Sequence, residues 1–147
     1  MKNLIIFKKA FLFVLGLFVL TSCENEKILT DADIPVEIEN YVNKHFSEAN
    51  IIQVNRNTDG LSRIYDVTLN NNTTLEFNRD MEVIDIESNA ELPASVIPER
   101  LRIYVDENFP NTVITDWQID DRNQQISLDN GMDLEFSMQG DFIRIDE

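Results

Sequence analysis

The chain repeats itself, and this internal duplication constrains its fold more than any other feature of the sequence. Two blocks of matching residues recur in the same order, the first at an offset of 63 residues and the second at an offset of 59. The first block contains Ile34-Pro35, Tyr41-Val42 and Phe46, which recur as Ile97-Pro98, Tyr104-Val105 and Phe109. The second contains Leu75-Glu76-Phe77 and Ile84, which recur as Leu134-Glu135-Phe136 and Ile143. The sequence therefore predicts two tandem copies of one unit, residues 34–90 and residues 91–147.

The two offsets differ by four residues, and the difference falls between Val54 and Tyr65 of the first copy. We predict a longer turn there, over residues 55–60, because loops absorb changes of length at little cost.

Each copy is predicted to begin with an amphipathic helix and to continue as three or four antiparallel strands. Apolar residues from Ile38 to Phe46 recur at helical spacing, and apolar and polar residues then alternate over residues 65–69 and 75–77. Asn130-Gly131 predicts a type I′ hairpin turn. A helix covering one side of such strands leaves the other side polar and open, so the predicted fold class is α+β.

An export leader precedes the repeats. Three lysines before Ala10 and an apolar run to Leu20 are typical of a signal peptide. Leu20-Thr21-Ser22-Cys23 resembles the lipobox of bacterial lipoproteins, and Cys23 is the single cysteine of the chain. The resemblance implies that residues 1–22 are removed and that Cys23 carries lipid. The segment from Glu24 to Asp33 is polar, acidic and without periodicity, which predicts that residues 23–33 form an acidic tether. The alternative is an ordinary secretory signal followed by an incidental thiol.

The charge of the chain restricts its partners. Against 12 basic residues stand 27 acidic ones, which gives a formal net charge of −15. Such a surface repels phosphate backbones, so we expect no nucleic-acid partner. It also repels anionic headgroups, so a membrane is expected to hold the protein through lipid on Cys23. With one cysteine, no disulfide can form inside the domain.

The duplicated Ile-Pro, the helix with Tyr-Val and Phe, the Asn-Gly hairpin and the Leu-Glu-Phe strand resemble the PepSY-like, β-lactamase-inhibitor-like domain. This domain occurs in secreted and lipid-anchored bacterial proteins, commonly of Bacteroidetes, and the resemblance covers about residues 30–147. It implies that both repeats contribute to one sheet, with the helices on one face and the other face open. The related inhibitors bind enzymes through the open face, but none of their contact residues can be assigned to a position of this sequence.

No arrangement of residues points to catalysis, so we expect the protein not to be an enzyme and to need no cofactor. His45 is the single histidine, and Asn108 takes its place in the second copy, which is typical of a polar residue at the core boundary. With Cys23 committed to lipid, neither a thiol nucleophile nor an ordinary zinc site remains.

Two acidic segments are weak candidates for a cation site. Asn55, Asn57, Asp59 and Asp66 have the spacing of ligands in an EF-hand-like calcium loop, although Arg63 interrupts it and a hairpin turn explains the same residues. Asp116, Asp120 and Asp121 form a second cluster, for which a solvated acidic face is the alternative.

Trp117 stands where the first copy has Val54, and both a packed core ring and a partly exposed interface anchor fit this position. Phe142 alternates with Ile143, which we expect to point inward, so Phe142 is a second candidate for an exposed aromatic residue. The predicted partner-binding residues of the open face are Trp117, Gln125, Ser127, Asp133, Glu135, Phe142 and Arg144.

These inferences predict a non-catalytic protein-binding module, with enzyme inhibition as one form of that binding. It would be lipid-anchored in the bacterial cell envelope, at the outer membrane on its periplasmic or surface side. Two alternatives stay open, a periplasmic calcium or small-ligand binding lipoprotein and a passive accessory subunit of an envelope complex.

Overall fold

A computed structural model describes residues 25–146 of the protein, so the predicted signal peptide and Cys23 lie outside the described residues. Within that range two α-helices lie against one nine-stranded sheet. The helices are α1 (Val36–His45) and α2 (Glu99–Asn108). The strands are β1 (Asn25–Ile28), β2 (Ile51–Asp59), β3 (Ser62–Leu69), β4 (Thr73–Phe77), β5 (Val83–Ser88), β6 (Ile114–Asp120), β7 (Asn123–Leu128), β8 (Asp133–Ser137) and β9 (Phe142–Asp146).

The strands lie in the sheet in the order of the sequence, and every neighbouring pair is antiparallel. Helix α1 precedes β2–β5 and helix α2 precedes β6–β9, so each repeat contributes one helix and four strands. The repeats join where β5 pairs with β6. The predicted α+β fold class is therefore confirmed. The two repeats share one sheet, which forms one layer, and their helices form a second layer on it.

Both helices lie on the same face of the sheet and make equivalent contacts. Tyr41 of α1 meets Phe77 edge to face at 5.4 Å between ring centroids, and Tyr104 of α2 meets Phe136 at 5.3 Å. The buried helical residues are Ile38, Val42, Leu101 and Val105. The matching contacts show that the Tyr and Phe positions repeated in the sequence join helix to sheet in each copy.

One apolar row crosses eight strands beneath the helices. Residues directly opposite one another in paired antiparallel strands share a face, and the observed register brings these side chains into line. The row is Val54, Val67, Leu75, Ile86, Trp117, Ile126, Leu134 and Ile145. The members from Val54 to Leu134 are buried, and burying each such side chain stabilises the fold by about 1.5–3 kcal/mol.

Part of the predicted tether, residues 23–33, is instead structured. Residues Asn25–Ile28 form β1, which pairs with β2, and the side chain of Leu29 is buried in the core. Pairing along a strand edge uses backbone groups and requires no apolar alternation, so the polar sequence did not reveal this strand.

The hairpins repeat between the two copies, but the type I′ turn predicted at Asn130-Gly131 is wrong. Positive φ occurs at Gly131 (83°) and not at Asn130. The side chain of Asn130 instead accepts a hydrogen bond from the backbone N–H of Met132 at 3.1 Å, which stabilises a different turn. In the first copy Asn72 has the equivalent positive φ of 62°.

Candidate functional site

The face of the sheet opposite the helices is polar and uncovered by any element among residues 25–146. The register places two neighbouring rows of side chains on it. Row A is Asn55, Asp66, Glu76, Asp85, Gln118, Gln125, Glu135 and Arg144. Row B is Gln53, Thr68, Thr74, Glu87, Asp116, Ser127, Asp133 and Asp146. This open face is therefore defined by the alternation that builds the core on the other side.

Four carboxylates meet in the middle of the open face, and we name them the acidic patch: Glu76, Asp85, Glu87 and Asp116. Glu76 lies directly opposite Asp85, and Glu87 lies directly opposite Asp116. Like charges directly opposite one another across paired strands repel and destabilise the sheet. The patch spans β4, β5 and β6, so it covers the junction between the two repeats.

Two carboxyl groups of the acidic patch, Asp85 and Asp116, hold protons more tightly than ordinary carboxyl groups do. Burial, followed by repulsion from Glu76 and Glu87, raises the pKa of Asp85 to about 6. Burial, followed by repulsion from Asp85, Glu87 and Asp133, raises the pKa of Asp116 to about 7. The Oδ1 atom of Asp116 is buried and has no hydrogen-bond partner among the described residues. A cation placed here would neutralise charge that the protein itself leaves uncompensated.

The negative charge continues from the acidic patch toward β1. The pKa of Asp66 is raised by partial burial and then by Glu26, even though the side-chain amide of Asn57 donates to its carboxylate. The pKa of Glu76 is raised by desolvation and then by Asp66. The carboxylates of β3, β4, β5 and β6 thus form one continuous electrostatic field.

The other end of the open face is compensated internally. Both Arg144 and Asn123 donate hydrogen bonds to Glu135, which holds the pKa of that carboxyl below its ordinary value. Arg144 also lies 3.4 Å from the carboxylate of Asp146. The predicted residues Gln125, Ser127, Asp133, Glu135 and Arg144 do lie together on the open face, but the unpaired negative charge lies nearer the middle of the sheet.

Trp117 is not an exposed anchor, so its inclusion among the open-face residues is wrong and the core alternative is correct. Its side chain is 6% exposed, in the apolar row beneath the helices. The indole N–H donates to the side-chain oxygen of Gln124, which is also buried, at 3.0 Å. The larger ring replaces Val54 of the first copy without leaving the core.

Phe142 also lies on the helix side, which corrects the prediction that it belongs to the open face. Its ring stacks on Tyr104 with centroids 4.7 Å apart and an interplanar angle of 12°. An irregularity in the pairing of β8 with β9 places Phe142 opposite Phe136 and Arg144 opposite Glu135. Ile143 is therefore the extra residue of a bulge, and simple alternation places Arg144 correctly but assigns Phe142 to the wrong face.

The EF-hand-like loop is not formed. Asn55, Asn57 and Asp59 belong to β2 and Asp66 belongs to β3, where Asn55 lies directly opposite Asp66. The turn itself comes later, at Gly60, which has a φ of 57°. The four additional residues of the first copy therefore lengthen two paired strands, and the longer turn predicted over residues 55–60 is wrong.

Within residues 25–146, no three His, Cys, Asp or Glu side chains come close enough together to hold a metal ion. Of the second acidic cluster, Asp116 belongs to the acidic patch. Asp120 is exposed at the end of β6, and Asp121 lies in the following turn with a φ of 52°. These two residues fit the alternative of a solvated acidic edge.

His45 lies at the boundary of the core. Its Nδ1 atom is 2.9 Å from the hydroxyl oxygen of Ser95, and its ring lies 4.5 Å from the ring of Tyr41. Burial, followed by repulsion from Lys44, lowers the pKa of His45. These contacts satisfy the side chain structurally, as the sequence analysis predicts.

The family model described as "Putative beta-lactamase-inhibitor-like, PepSY-like" matches the chain twice, over residues 16–85 and 63–144. The chain belongs to the PepSY-like family. The two overlapping matches agree with the duplicated fold of this PepSY-like chain. No curated protein matches it.

Solved structures share the fold of this PepSY-like chain. One, from Bacteroides thetaiotaomicron, is described as a "putative calcium-regulated periplasmic protein"; it has a TM-score of 0.77 and 22% identity, and the match covers 83% of this chain and 97% of that one. Another, from Bacteroides vulgatus, is described as a "putative periplasmic protein"; it has a TM-score of 0.78 and 24% identity, with 84% and 98% covered.

In this PepSY-like chain, the sequence analysis missed Glu76, Asp85 and Glu87 as site residues. The signal was present, because Glu76 lies between the core residues Leu75 and Phe77, and Asp85 and Glu87 lie on either side of the core residue Ile86. Polar residues next to the core residues of two neighbouring strands share the open face. Their direct opposition, however, depends on the register, which the sequence does not state.

Proposed function

We propose that this protein is a lipid-anchored, non-catalytic module of the cell envelope that binds a basic segment of another protein on the acidic patch. The observation that carries the proposal is the opposition of Glu76 to Asp85 and of Glu87 to Asp116 on an uncovered sheet face. Nothing within residues 25–146 supplies a positive charge to these four residues in an ion pair.

The patch has room for the side chain of a partner. Glu87, Asp116 and Ser127 line a shallow pocket at the junction of β5, β6 and β7. A lysine or arginine side chain entering this pocket would offset the repulsion among the carboxylates. The surrounding negative field would also raise the rate at which a basic partner is encountered.

Three observations support a place in the cell envelope. The leader has the pattern of a signal peptide, the tetrapeptide ending at Cys23 resembles a lipobox, and two structural relatives are described as periplasmic. Strand β1 begins at Asn25, two residues after Cys23. Lipid on Cys23 would therefore hold the β1 edge of the sheet at the outer membrane and leave the open face accessible to proteins.

The proposal is tested by mapping where a basic peptide binds. An arginine-rich peptide is titrated into the isotopically labelled mature chain, and backbone amide shifts are followed by NMR. We expect the shifts to concentrate at residues 74–76, 85–87 and 116–118. In the variant Asp85→Asn/Asp116→Asn, affinity should fall roughly three- to tenfold, because each ion pair near the surface contributes about 0.2–1 kcal/mol.

The matched control removes the same charge from the helix side of the protein. Glu48→Gln/Glu107→Gln changes two exposed carboxylates that lie outside the sheet. If this control loses as much affinity as the patch variant, the peptide responds to net charge alone and the proposed site is wrong.

Inhibition of an envelope enzyme is the more specific form of this proposal. It requires that a hydrolase captured through the acidic patch lose activity when the protein saturates it. A captured enzyme whose activity is unchanged would instead indicate a passive accessory subunit.

Calcium binding is a second candidate function, because each opposed pair of carboxylates supplies two of the oxygen ligands that calcium prefers; water would supply the others, since no three such groups come together within residues 25–146. The structural relative described as calcium-regulated supports this candidate. Its test is a rise in melting temperature with millimolar calcium that disappears in Asp85→Asn/Asp116→Asn. An unchanged melting temperature would remove this candidate while leaving the peptide-binding proposal intact.

A further inference from the structure

The two repeats differ in how their last strands are covered. Strand β5 ends the first repeat, and its outer edge pairs with β6 at Asp85, Ile86 and Glu87. Strand β9 ends the second repeat, and no strand among residues 25–146 pairs with its outer edge. By the offset of 59 residues, Ile145 is the counterpart of Ile86. The first repeat therefore shows what kind of neighbour the edge of β9 accommodates.

The uncovered edge leaves apolar side chains in solvent. Ile86 is 0% exposed because Trp117 of β6 lies beside it, whereas Ile145 is 44% exposed. Ile143 and Phe142 of the same strand are 47% and 36% exposed. Natural proteins usually protect edge strands with charges, bulges, prolines or a covering element; β9 carries charges and the bulge at Ile143, yet it still leaves these three apolar side chains in solvent.

The opposite edge of the sheet is protected differently. Strand β1 has only four residues and carries Glu26 and Lys27, and Lys27 forms an ion pair with Asp33 at 3.5 Å. Short charged strands resist pairing with other chains. Strand β9 also carries charges, but it exposes three apolar side chains where β1 exposes Ile28 alone, so the two edges are not equivalent and β9 is the edge better suited to strand addition.

We propose that the outer edge of β9 accepts an extended segment of a partner protein as an additional antiparallel strand, with a large apolar residue beside Ile145 and a basic residue beside Asp146. The register follows from the junction of the repeats, where Ile86 pairs with Trp117 and Glu87 pairs with Asp116. Main-chain hydrogen bonds supply affinity in this mode, and alternate side chains supply specificity. The inference goes beyond the proposed function, because it concerns a different surface.

The charges near the outer edge of β9 determine which kind of partner segment can pair with it. Asp146 lies directly opposite Asp133 on β8, and although Arg144 lies 3.4 Å from Asp146, an acidic residue of an added strand beside Asp146 would extend this row of carboxylates. A second copy of this chain would bring a net charge of −15 to an equally acidic surface. A segment with an apolar residue beside Ile145, a basic residue beside Asp146 and a neutral polar residue beside Arg144, as Gln118 lies beside Asp85, fits the edge on both faces of the strand.

The junction of the repeats supplies the test peptide. A synthetic peptide with the sequence of residues 112–121 and the change Asp116→Lys is titrated into the labelled mature chain. We expect amide shifts and slowed hydrogen exchange at residues 142–146. Binding should be about two- to fivefold weaker for the peptide without the lysine, since a cross-strand charge pair contributes a few tenths to one kcal/mol. Trp117→Ala in the peptide should weaken binding further.

Two protein variants complete the experiment. Ile145→Ser removes the exposed apolar contact on β9 and should weaken peptide binding at least about threefold, because burial of that side chain drives the contact. Ile28→Ser makes the same change at the β1 edge, where Ile28 is 63% exposed, and should leave binding unchanged.

Four results would overturn the proposal. The first is no binding at millimolar peptide, and the second is amide shifts confined to β1 or to the open face. The third is an equal loss of peptide affinity in the two variants, and the fourth is slowed hydrogen exchange of β9 in the protein alone together with dimerisation in sedimentation. The last result would identify a second copy as the occupant. Each of these outcomes is independent of whether an arginine-rich peptide binds the acidic patch.

Discussion

Trp117 donates its indole N–H to the side-chain oxygen of Gln124 at 3.0 Å, and the amide nitrogen of Gln124 donates in turn to the backbone carbonyl of Ser137 at 3.1 Å. Trp117 lies in β6, Gln124 in β7 and Ser137 at the end of β8. The buried glutamine thus connects three strands of the second repeat. In the first repeat, Val54 and Tyr65 hold the equivalent positions and use no such bond.

We predict that Gln124→Leu destabilises the protein by about 1–3 kcal/mol, because the buried indole N–H and the carbonyl of Ser137 both lose their partner. The measurement is urea unfolding followed by the fluorescence of Trp117, the single tryptophan of the chain. Gln125→Leu on the open face is the matched control and should have a smaller effect. Equal losses in the two variants would show that the bond to Trp117 contributes nothing particular.

Gly140 and Gly131 provide a second pair of matched positions. Both have a φ of 83°, but a Cβ atom at Gly140 would lie 2.9 Å from Cβ of Arg100, whereas one at Gly131 would meet nothing within 4 Å. Both alanine variants incur the cost of positive φ, about 1–3 kcal/mol. Gly140→Ala should therefore lower the melting temperature more than Gly131→Ala does. The reverse order would contradict the observed approach of helix α2 to the β8–β9 turn.

The raised pKa values of Asp85 (about 6) and Asp116 (about 7) predict how stability depends on pH. A carboxyl whose pKa is higher in the folded state binds more protons when folded than when unfolded, so stability falls as pH rises between the two values. We expect the melting temperature to fall between pH 5.5 and pH 8. The carboxylates that face Asp116 are Asp85, Glu87 and Asp133, and all of them act in this direction.

The same argument predicts a variant that is more stable than the natural chain at high pH. Asp116→Asn should raise the melting temperature at pH 8 and flatten its dependence on pH. Glu107→Gln, an exposed change on α2, should do neither. A melting temperature that rises from pH 5.5 to pH 8 in the natural chain would contradict the assignment.

The sequence was sufficient to predict the architecture because each copy of the repeat provides an independent check on the pattern seen in the other copy. Tyr41 and Tyr104 recur at matching positions, and each packs against the repeated Phe of its own copy. The open face follows from the same periodicity. The register of the strands determines which polar residues lie opposite one another on this face. That register includes bulges, which the alternation of apolar and polar residues in the sequence does not reveal.

Phe142 shows this limit most clearly. Alternation with Ile143 assigns it to the open face, but the bulge at the β8–β9 pairing turns it toward Tyr104. The same kind of irregularity lies between Glu76 and Phe77, where β4 pairs with β5. Each bulge adds one residue to a strand without interrupting the apolar pattern, so the sequence alone could not place the acidic patch.

The most direct test of the account is the affinity of an arginine-rich peptide for the natural chain at two pH values. Protonation of Asp85 and Asp116 removes the charges that the peptide is proposed to bind, so affinity should fall roughly three- to tenfold from pH 8 to pH 5.5. In Asp85→Asn/Asp116→Asn the affinity should already be low at pH 8 and should change little with pH. An affinity that is the same at both pH values in the natural chain would contradict the proposal that the acidic patch is the binding site.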